Sequence, residues 1–338
     1  MAIEVIVVGL GLRGRDWIRE VRASQEFELV GCVDTDREAL TAVENVSVPA
    51  SRCFQDLNEA IDKTGCRAVI VATSADQHVG PCETSLAREL PVLVEKPFAL
   101  RLTDARRLVQ LSEQQNVPLL VAQNYRYLRS FRAARNIIAE GTLGAVSLIS
   151  CQYFRPPHDV RSHRSLQHTV LFAVSVHHLD ALRYVLGAEV TNVAAESFTQ
   201  RPNESPSGAS FRAMLSFENG MRASYAATYE SSGHEFFERG QEFYARFVGD
   251  KATLHVFHRW LVLCKQGSVP RLVNRGPRKV TEEQVILRQF FGAIASSEPS
   301  EISGRDNLQT MAVLEACARS ATEQRWINPQ ELLNGSGK

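Results

Sequence analysis

Residues 3–34 read IEVIVVGLGLRGRDWIREVRASQEFELVGCVD, and this stretch decides the architecture. Ile3 to Val8 is almost wholly apolar and mostly β-branched, the composition of a parallel strand buried on both faces. Gly9, Gly11 and Gly14 follow at G-x-G-x-x-G spacing. Asp16 to Ala23 has helical character, and Phe27 to Val33 is a second apolar strand ending at Asp34. Each glycine has a task in such a unit. Gly9 allows the tight turn, Gly11 lets a pyrophosphate approach the backbone, and Gly14 lets helix and strand pack closely. The N–H groups and positive dipole end around Leu12, Arg13 and Gly14 then face the phosphates. Asp34 lies twenty residues past Gly14, where a carboxylate accepts hydrogen bonds from an adenosine ribose. Its charge would meet a 2′-phosphate at close range. NAD is therefore the expected cofactor, with Arg13, Arg15 and Arg37 as nearby cations that soften the bias and keep NADP possible.

The rest of the composition narrows the class. A chain of 338 residues is too long for one ordinary domain and fits two. Lysine plus arginine equals aspartate plus glutamate, 38 of each, so no electrostatic footprint for nucleic acid or an anionic membrane is present. No apolar run approaches a membrane span, and the N-terminus enters a strand directly, without the pattern of a signal peptide. The seven cysteines are scattered, odd in number and never in C-x-x-C spacing, the usage expected of free thiols in a reducing cytoplasm.

Strands and helices alternate through the first half. Arg37 to Glu44 and Asp56 to Lys63 read as helices, Ala68 to Ala72 as a third buried strand, and Val79 to Glu89 as helical. Pro91 to Val94 is a strand followed at once by Glu95-Lys96-Pro97. Thr103 caps a helix to about Gln115, and Pro118 to Ala122 is a strand leading into Gln123-Asn124-Tyr125-Arg126. This pitch predicts a doubly wound parallel sheet, in which ligands sit beyond the carboxyl ends of the strands. The glycine loop, Asp34, the loop Thr73 to His78, Glu95 to Pro97 and Asn124 to Arg126 all fall at those ends. Lys96 there is a cation in a crevice. Its ammonium is suited to hydrogen-bond a substrate oxygen and stabilise alkoxide character as a hydride leaves the carbon. Glu95 either pairs with a cation or orients the strand end. His78 either contacts the cofactor or bonds at a helix start, and Tyr125 and Arg126 either line the pocket or brace the domain junction.

The glycine triplet, the Val71-Ala72-Thr73 strand end, Val94-Glu95-Lys96-Pro97 and His177-x-x-Asp180 before a Leu-Gly ending together resemble the Gfo/Idh/MocA family of glucose–fructose oxidoreductase and inositol dehydrogenase. The resemblance extends to Ile302–Ala321, similar to the family's last helix. It implies a Rossmann domain, residues 1–123, and a C-terminal substrate-binding and oligomerisation domain, 124–338, with a large open antiparallel sheet and last helices able to pack back on the first domain. It also implies NAD(P)-dependent chemistry on sugars, cyclitols or related polyols.

In the second half, Phe131 to Glu140 reads as a helix and Ala145 to Tyr153 as a strand. Arg155 to His168 reads as a polar loop. Its three histidines, His158, His163 and His168, lack ligand spacing, so no metal is expected. Arg161 and Arg164 are candidates for a substrate hydroxyl or carboxylate. Val170 to Leu186 is the second functional helix. The family puts a histidine where His177 stands, facing the lysine. An imidazole titrating near neutrality can take up the hydroxyl proton. Asp180 either fixes its tautomer or ties the helix down. His178 competes with His177, because adjacent helical residues point about 100° apart. Relatives commonly carry an aspartate four residues before this histidine, where this chain has Ala173.

From Val190 onward the pattern is β: Val190 to Phe198, Ser210 to Phe217, Met221 to Tyr229, Glu242 to Gly249, Ala252 to Phe257 and Arg259 to Cys264, with Glu218-Asn219-Gly220 as a hairpin turn. Such a sheet covers one face with helices and offers the other for a homodimer or homotetramer. Thr281 to Ser296 and Arg305 to Glu323 read as helices. The leading expectation is hydride transfer between nicotinamide and a secondary alcohol or ketone, with Lys96 and His177 as the catalytic pair. A non-catalytic dinucleotide-binding regulator, favoured by Ala173, and NAD-assisted glycoside cleavage are the rivals.

Overall fold

The glycine stretch lies at the centre of a six-stranded parallel sheet. The structure, a computed structural model, describes residues 2–44, 48–156, 166–203, 205–232, 243–258, 260–273, 280–296 and 299–335. The chain divides into two compact units, Met1–Asn124 with Val280–Met311, and Tyr125–Lys279 with Ala312–Lys338.

In the first unit the order along the chain is β1 (Ile3–Val8), α1 (Leu12–Ala23), β2 (Phe27–Val33), α2 (Arg37–Glu44), β3 (Cys53–Phe54), α3 (Leu57–Thr64), β4 (Ala68–Val71), α4 (Val79–Ala87), β5 (Val92–Val94), α5 (Leu102–Gln114) and β6 (Leu119–Val121). The sheet order β3-β2-β1-β4-β5-β6 is parallel throughout, with the chain reversing direction between β1 and β4. That reversal is the switch point where a doubly wound sheet opens a crevice. β4, β5 and β6 are buried at every position, as their unbroken apolar runs require.

Several boundaries differ from the expected ones by a residue or more, and two at helix starts in this unit have a clear physical reason. α1 begins at Leu12 rather than Asp16. Glycine disfavours helix by propensity, but a Cβ on Gly14 would lie 1.8 Å from the Gly9 carbonyl oxygen, so close packing against the loop dictates both the residue and the helical turn. α5 begins at Leu102, with Arg101 rather than Thr103 in the extended cap position. The Arg101–Asp104 ion pair at 2.9 Å covers its first turn.

The second unit opens with α6 (Arg129–Ala139) and β7 (Val146–Phe154), followed by a wide π turn, Leu171–Ser175, that runs into α7 (Val176–Leu186). Then come β8 (Val190–Phe198), β9 (Ser210–Phe217), β10 (Arg222–Thr228), β11 (Phe243–Gly249), β12 (Ala252–Phe257), β13 (Leu261–Lys265) and β14 (Arg271–Leu272). The eight-stranded sheet has the order β14-β13-β12-β11-β7-β10-β9-β8, antiparallel except where β7 meets β10. Its inner face carries Ile149, Cys151, Tyr153, Phe211, Tyr225 and Phe247, all buried. All eleven residues of α7 are buried, so this helix has no solvent face.

Late in the chain stand α8 (Glu282–Ser296), α9 (Gly304–Glu323) and α10 (Pro329–Leu333). α8 belongs to the first unit, where Phe290 stacks on Phe27 with ring centroids 5.7 Å apart. The two-residue strands β3 and β14 and the five-residue α10 are too short to show a period, and the sequence pattern does not display them. Among the described residues no helix is long and apolar enough to cross a membrane.

Candidate active site

The first unit gathers its functional side chains at the carboxyl ends of β1, β2, β4, β5 and β6. Gly9 has φ of +87°, and a Cβ there would lie 2.5 Å from the Thr73 amide nitrogen. The turn after β1 therefore packs directly on the end of β4. Around Gly11 the situation is reversed, because a Cβ would meet nothing within 4 Å. Gly11 contributes no side-chain cap to α1, and Leu12 at the first helical position is 73% exposed. The positive end of α1 thus faces open space over a bare backbone, the arrangement a pyrophosphate needs.

Asp34 is already aimed at that space. One carboxylate oxygen accepts from the Leu10 amide at 2.7 Å and the other from the Asp36 amide at 2.9 Å. At the end of β4 the Thr73 hydroxyl is buried with no protein hydrogen-bond partner among the described residues. An open glycine backbone, a pre-oriented carboxylate and an orphaned hydroxyl fit a dinucleotide. Gly9, Gly11, Leu12, Arg13 and Gly14 would hold its phosphates through backbone, and Asp34 its ribose.

Arg13 answers differently from its expectation as a free cation near the ribose. Its Nε donates to Glu95 at 2.9 Å, and its guanidinium also meets Asp16 and Glu283, each at 3.2 Å. Although burial pulls its pKa down, Glu95 and Glu283 carry the net shift above the ordinary arginine value. Three carboxylates engage the charge, so Arg13 does little to soften the repulsion between Asp34 and a 2′-phosphate. Glu95 is the cation partner that the sequence left open. Besides Arg13 it accepts from the buried Trp17 indole at 2.9 Å, and its second oxygen faces the Lys96 amide at 3.2 Å. Trp17 had no place among the expected site residues, since in sequence it is only the apolar side of α1.

Lys96 follows, half-buried and joined to Pro97 by a cis peptide bond. Desolvation lowers its pKa below the usual lysine value. Glu95 opposes that shift, and Arg13, by contributing positive charge, adds to it. His78 braces this turn. Its Nδ1 lies 2.8 Å from the Pro97 carbonyl and its Nε2 3.1 Å from the Thr73 carbonyl. Burial lowers its pKa against the pull of those two carbonyls. Both ring nitrogens face backbone carbonyls, one of which accepts the single N–H of the neutral imidazole, so His78 stabilises the β4 and β5 ends. Gln123, past β6, is 1% exposed, and its side-chain amide has no protein partner among the described residues. Its polarity after a buried strand is the one sequence signal that pointed to it.

The second unit carries its own cluster. His177 is 8% exposed and stacks on Tyr125 with centroids 4.3 Å apart and planes 19° from parallel. His178, one residue on, is fully buried between Phe243 at 4.5 Å and Tyr153 at 5.1 Å. Its Nδ1 lies 2.7 Å from the Tyr225 hydroxyl, which donates to Ser175 Oγ at 3.0 Å. His178 is therefore a core residue and not the substrate contact expected as an alternative. For Arg126 and Asp180 the structure takes the bracing alternative and not substrate contact. The guanidinium grips the carboxylate through two 2.7 Å bonds, with Arg183 3.5 Å away, and Arg126 and Asp180 are 3% and 0% exposed. Such a fork ties the start of this unit to α7, and removing one partner would strand a buried charge. Arg161, Arg164, His158 and His163 lie outside the described residues.

Burial drives the His178 pKa down to about 3. Between that value and the ordinary 6.5 the unfolded chain takes up a proton that the folded chain refuses, so this group's contribution to stability falls as pH falls. The slope is about 1.4 kcal/mol per pH unit. Urea unfolding at pH 7 and pH 5 is expected to show about 2 kcal/mol of acid-induced loss from this group. In His178→Gln that part disappears. An identical loss in both proteins would contradict a buried neutral imidazole.

Comparison with known proteins agrees with this geometry. Residues 3–123 match the family model described as an oxidoreductase family with an NAD-binding Rossmann fold, and residues 131–255 match the GFO/IDH/MocA C-terminal domain. D-apiose dehydrogenase of Paraburkholderia graminis is 27% identical across 96% of this chain and 89% of its own. Myo-inositol 2-dehydrogenase of Thermotoga maritima is 21% identical across 97% and 98%. An oxidoreductase from Agrobacterium radiobacter, solved with NAD+, L-tartaric acid and magnesium, superposes with a TM-score of 0.88 at 20% identity, covering 98% of this chain and 100% of that one.

Proposed function

The chain belongs to the Gfo/Idh/MocA oxidoreductase family, and on that premise we propose that it is an NAD-dependent dehydrogenase for a secondary alcohol of a sugar, cyclitol or related polyol. The observation that carries the reading is Lys96, a half-buried cation at the β5 end beside a glycine loop open for a dinucleotide. Relatives similar over nearly their whole length bear the names of sugar and cyclitol dehydrogenases.

Bound NAD supplies the hydride acceptor. Lys96 donates a hydrogen bond to the substrate oxygen and stabilises its negative charge. His177 accepts the hydroxyl proton in oxidation and returns it in reduction. Glu95, held by Arg13 and Trp17, fixes the strand end from which Lys96 extends. The test is absorbance of reduced cofactor at saturating NAD with a panel including D-apiose and myo-inositol. Turnover on at least one polyol is expected, and none on any would overturn the reading.

Asp34 sets NAD over NADP, because its oriented carboxylate suits a ribose diol and repels a phosphate. Asp34→Ala is expected to weaken NAD about tenfold or more, the worth of charge-assisted hydrogen bonds, with little loss for NADP. Titration of tryptophan fluorescence with each cofactor decides it. Equal losses for both would contradict the preference.

Ala173 favours a second reading, a dinucleotide-binding regulator without turnover. Tight NAD binding with no redox chemistry would identify it. We also assign the outer face of the eight-stranded sheet to self-association. Leu148, Phe198 and Met214 on that face are 48%, 46% and 55% exposed. A cytoplasmic location is consistent with the seven cysteines, all free thiols.

A further inference from the structure

We infer that Gln123 is the residue that reads the carboxamide of the nicotinamide ring, pairing its own side-chain amide with it. The inference rests on NAD as the cofactor and adds which group the chain offers to the reactive end of that molecule.

Among the described residues of the first unit, buried side-chain oxygen or nitrogen atoms without a hydrogen-bond partner belong to Glu4, Thr73, Gln123, Asn124 and Asn307. Three of these five residues stand past the ends of β4 and β6, with Lys96 between them past β5. The ladder sets that order. Val71, Val94 and Val121 are aligned across the three strands. The ladder runs on beyond them, with the Glu95 amide donating to the Val71 carbonyl and the Ala122 amide to the Val94 carbonyl, each at 2.8 Å. Thr73, Lys96 and Gln123 each lie two residues past an aligned valine, so the pleat directs all three from the same side of the sheet. Gln123 is 1% exposed, and neither its side-chain oxygen nor its nitrogen has a partner. A protein interior rarely leaves both ends of an amide unpaired, because burial strips away the water that would have bonded them.

Such an amide is matched by a group with an acceptor and a donor in one plane. A primary carboxamide has both and closes two hydrogen bonds at once, whereas a hydroxyl meets them one at a time. Place agrees with chemistry. The hydride moves to C4 of nicotinamide, the carboxamide is on the adjoining C3, and the oxygen that Lys96 meets belongs to the carbon facing C4. A group that reads the carboxamide therefore belongs beside Lys96, and Gln123 is one strand away. Three side-chain torsions let its amide turn to the ring, and Thr73 and Asn124 add further hydrogen-bonding atoms at the same strand ends. Paired in this way the ring is held against rotation, which fixes the face it offers to the substrate.

The test uses the full-length chain and Gln123→Met, which keeps the length of the side chain and removes both hydrogen-bonding groups. Calorimetric titration compares NAD, its 3-acetylpyridine analogue, in which a methyl ketone replaces the carboxamide, and ADP-ribose, which lacks the ring. Wild type is expected to bind NAD about tenfold tighter than the analogue, the worth of an amide hydrogen bond whose buried partner is otherwise stranded. In Gln123→Met the two should bind alike, with ADP-ribose affinity unchanged. A second arm measures urea unfolding without cofactor. Replacing an unpaired buried amide by an apolar group of the same length is expected to leave the midpoint at or above that of wild type, the reverse of what loss of a structural hydrogen bond gives. No preference for NAD over the analogue in wild type overturns the proposal. So does a preference that survives in Gln123→Met, or an equal loss for ADP-ribose. A lowered midpoint or a failure to fold overturns it too, by marking an amide that the fold itself needs. Absence of turnover on the polyol panel overturns the dehydrogenase reading alone, because both arms run without substrate.

Discussion

Lys96→Met is expected to cut kcat for polyol oxidation by about two to three orders of magnitude, the range seen when one oxyanion-stabilising donor is removed. Methionine keeps the length and apolar stem of lysine and removes only the ammonium, so a loss of rate reports chemistry rather than packing. The dinucleotide loop does not depend on that ammonium. Gly9, Gly11, Gly14 and Asp34 are organised by their own backbone contacts and by the Leu10 amide. NAD affinity in the variant is therefore expected to stay close to wild type, and cofactor titration alongside stopped-flow turnover separates the two effects. The wild-type pH profile gives a second check. Lys96 acts only when protonated, and desolvation lowers its pKa below 10.5 despite the opposing pull of Glu95. Activity should fall as pH rises through that lowered value, so the alkaline limb lies below the ordinary lysine range. Full turnover in Lys96→Met would remove the oxygen-polarising role and leave the β5 end without a chemical assignment.

Gly14→Ala is expected to destabilise the first unit by about 3 kcal/mol or more and to abolish cofactor binding. The added methyl carbon would sit 1.8 Å from the Gly9 carbonyl oxygen and 2.9 Å from its carbon, both backbone atoms that no rotamer change can move aside. Relief requires α1 to shift away from the β1 turn. That turn is pinned by Gly9 itself, whose amide donates to the Val33 carbonyl at 2.8 Å and whose Cα abuts the end of β4. Gly11→Ala is the matched control, since its methyl would enter open space and leave folding intact. It would still crowd a pyrophosphate, so Gly11→Ala should weaken NAD while its urea midpoint stays near wild type. Equal stability of the two variants would show that the α1 turn has more room than its contacts indicate.

The parallel sheet was legible because its cues are local. β4, β5 and β6 are short apolar runs, and β1 and β2 are near-continuous ones, that no solvent-facing strand would carry. The G-x-G-x-x-G spacing names a turn that needs glycine at Gly9 for its positive φ and at Gly14 for close packing. The alternation along β8 to β13 likewise carries its own period of two, whatever the strand order. Lys96 could be singled out for the same kind of reason, as a cation directly after a buried strand.

Which polar groups reach each other is a different matter, because it depends on segments far apart along the chain meeting in one direction and not another. Arg13 meets Glu95 across 82 residues and Arg126 meets Asp180 across 54, and no periodicity encodes either pairing. From spacing alone Arg13 is a cation beside the ribose, and Asp180 is either a partner for His177 or a tie for its helix. Packing turns the first onto a buried carboxylate and locks the second into a guanidinium fork. His177 and His178 are indistinguishable as letters. The roll of α7 sends one into an aromatic core, where desolvation keeps it neutral, and lays the other against the face of Tyr125. Backbone preference is written residue by residue, whereas the orientation of a side chain is settled only when the surfaces around it close.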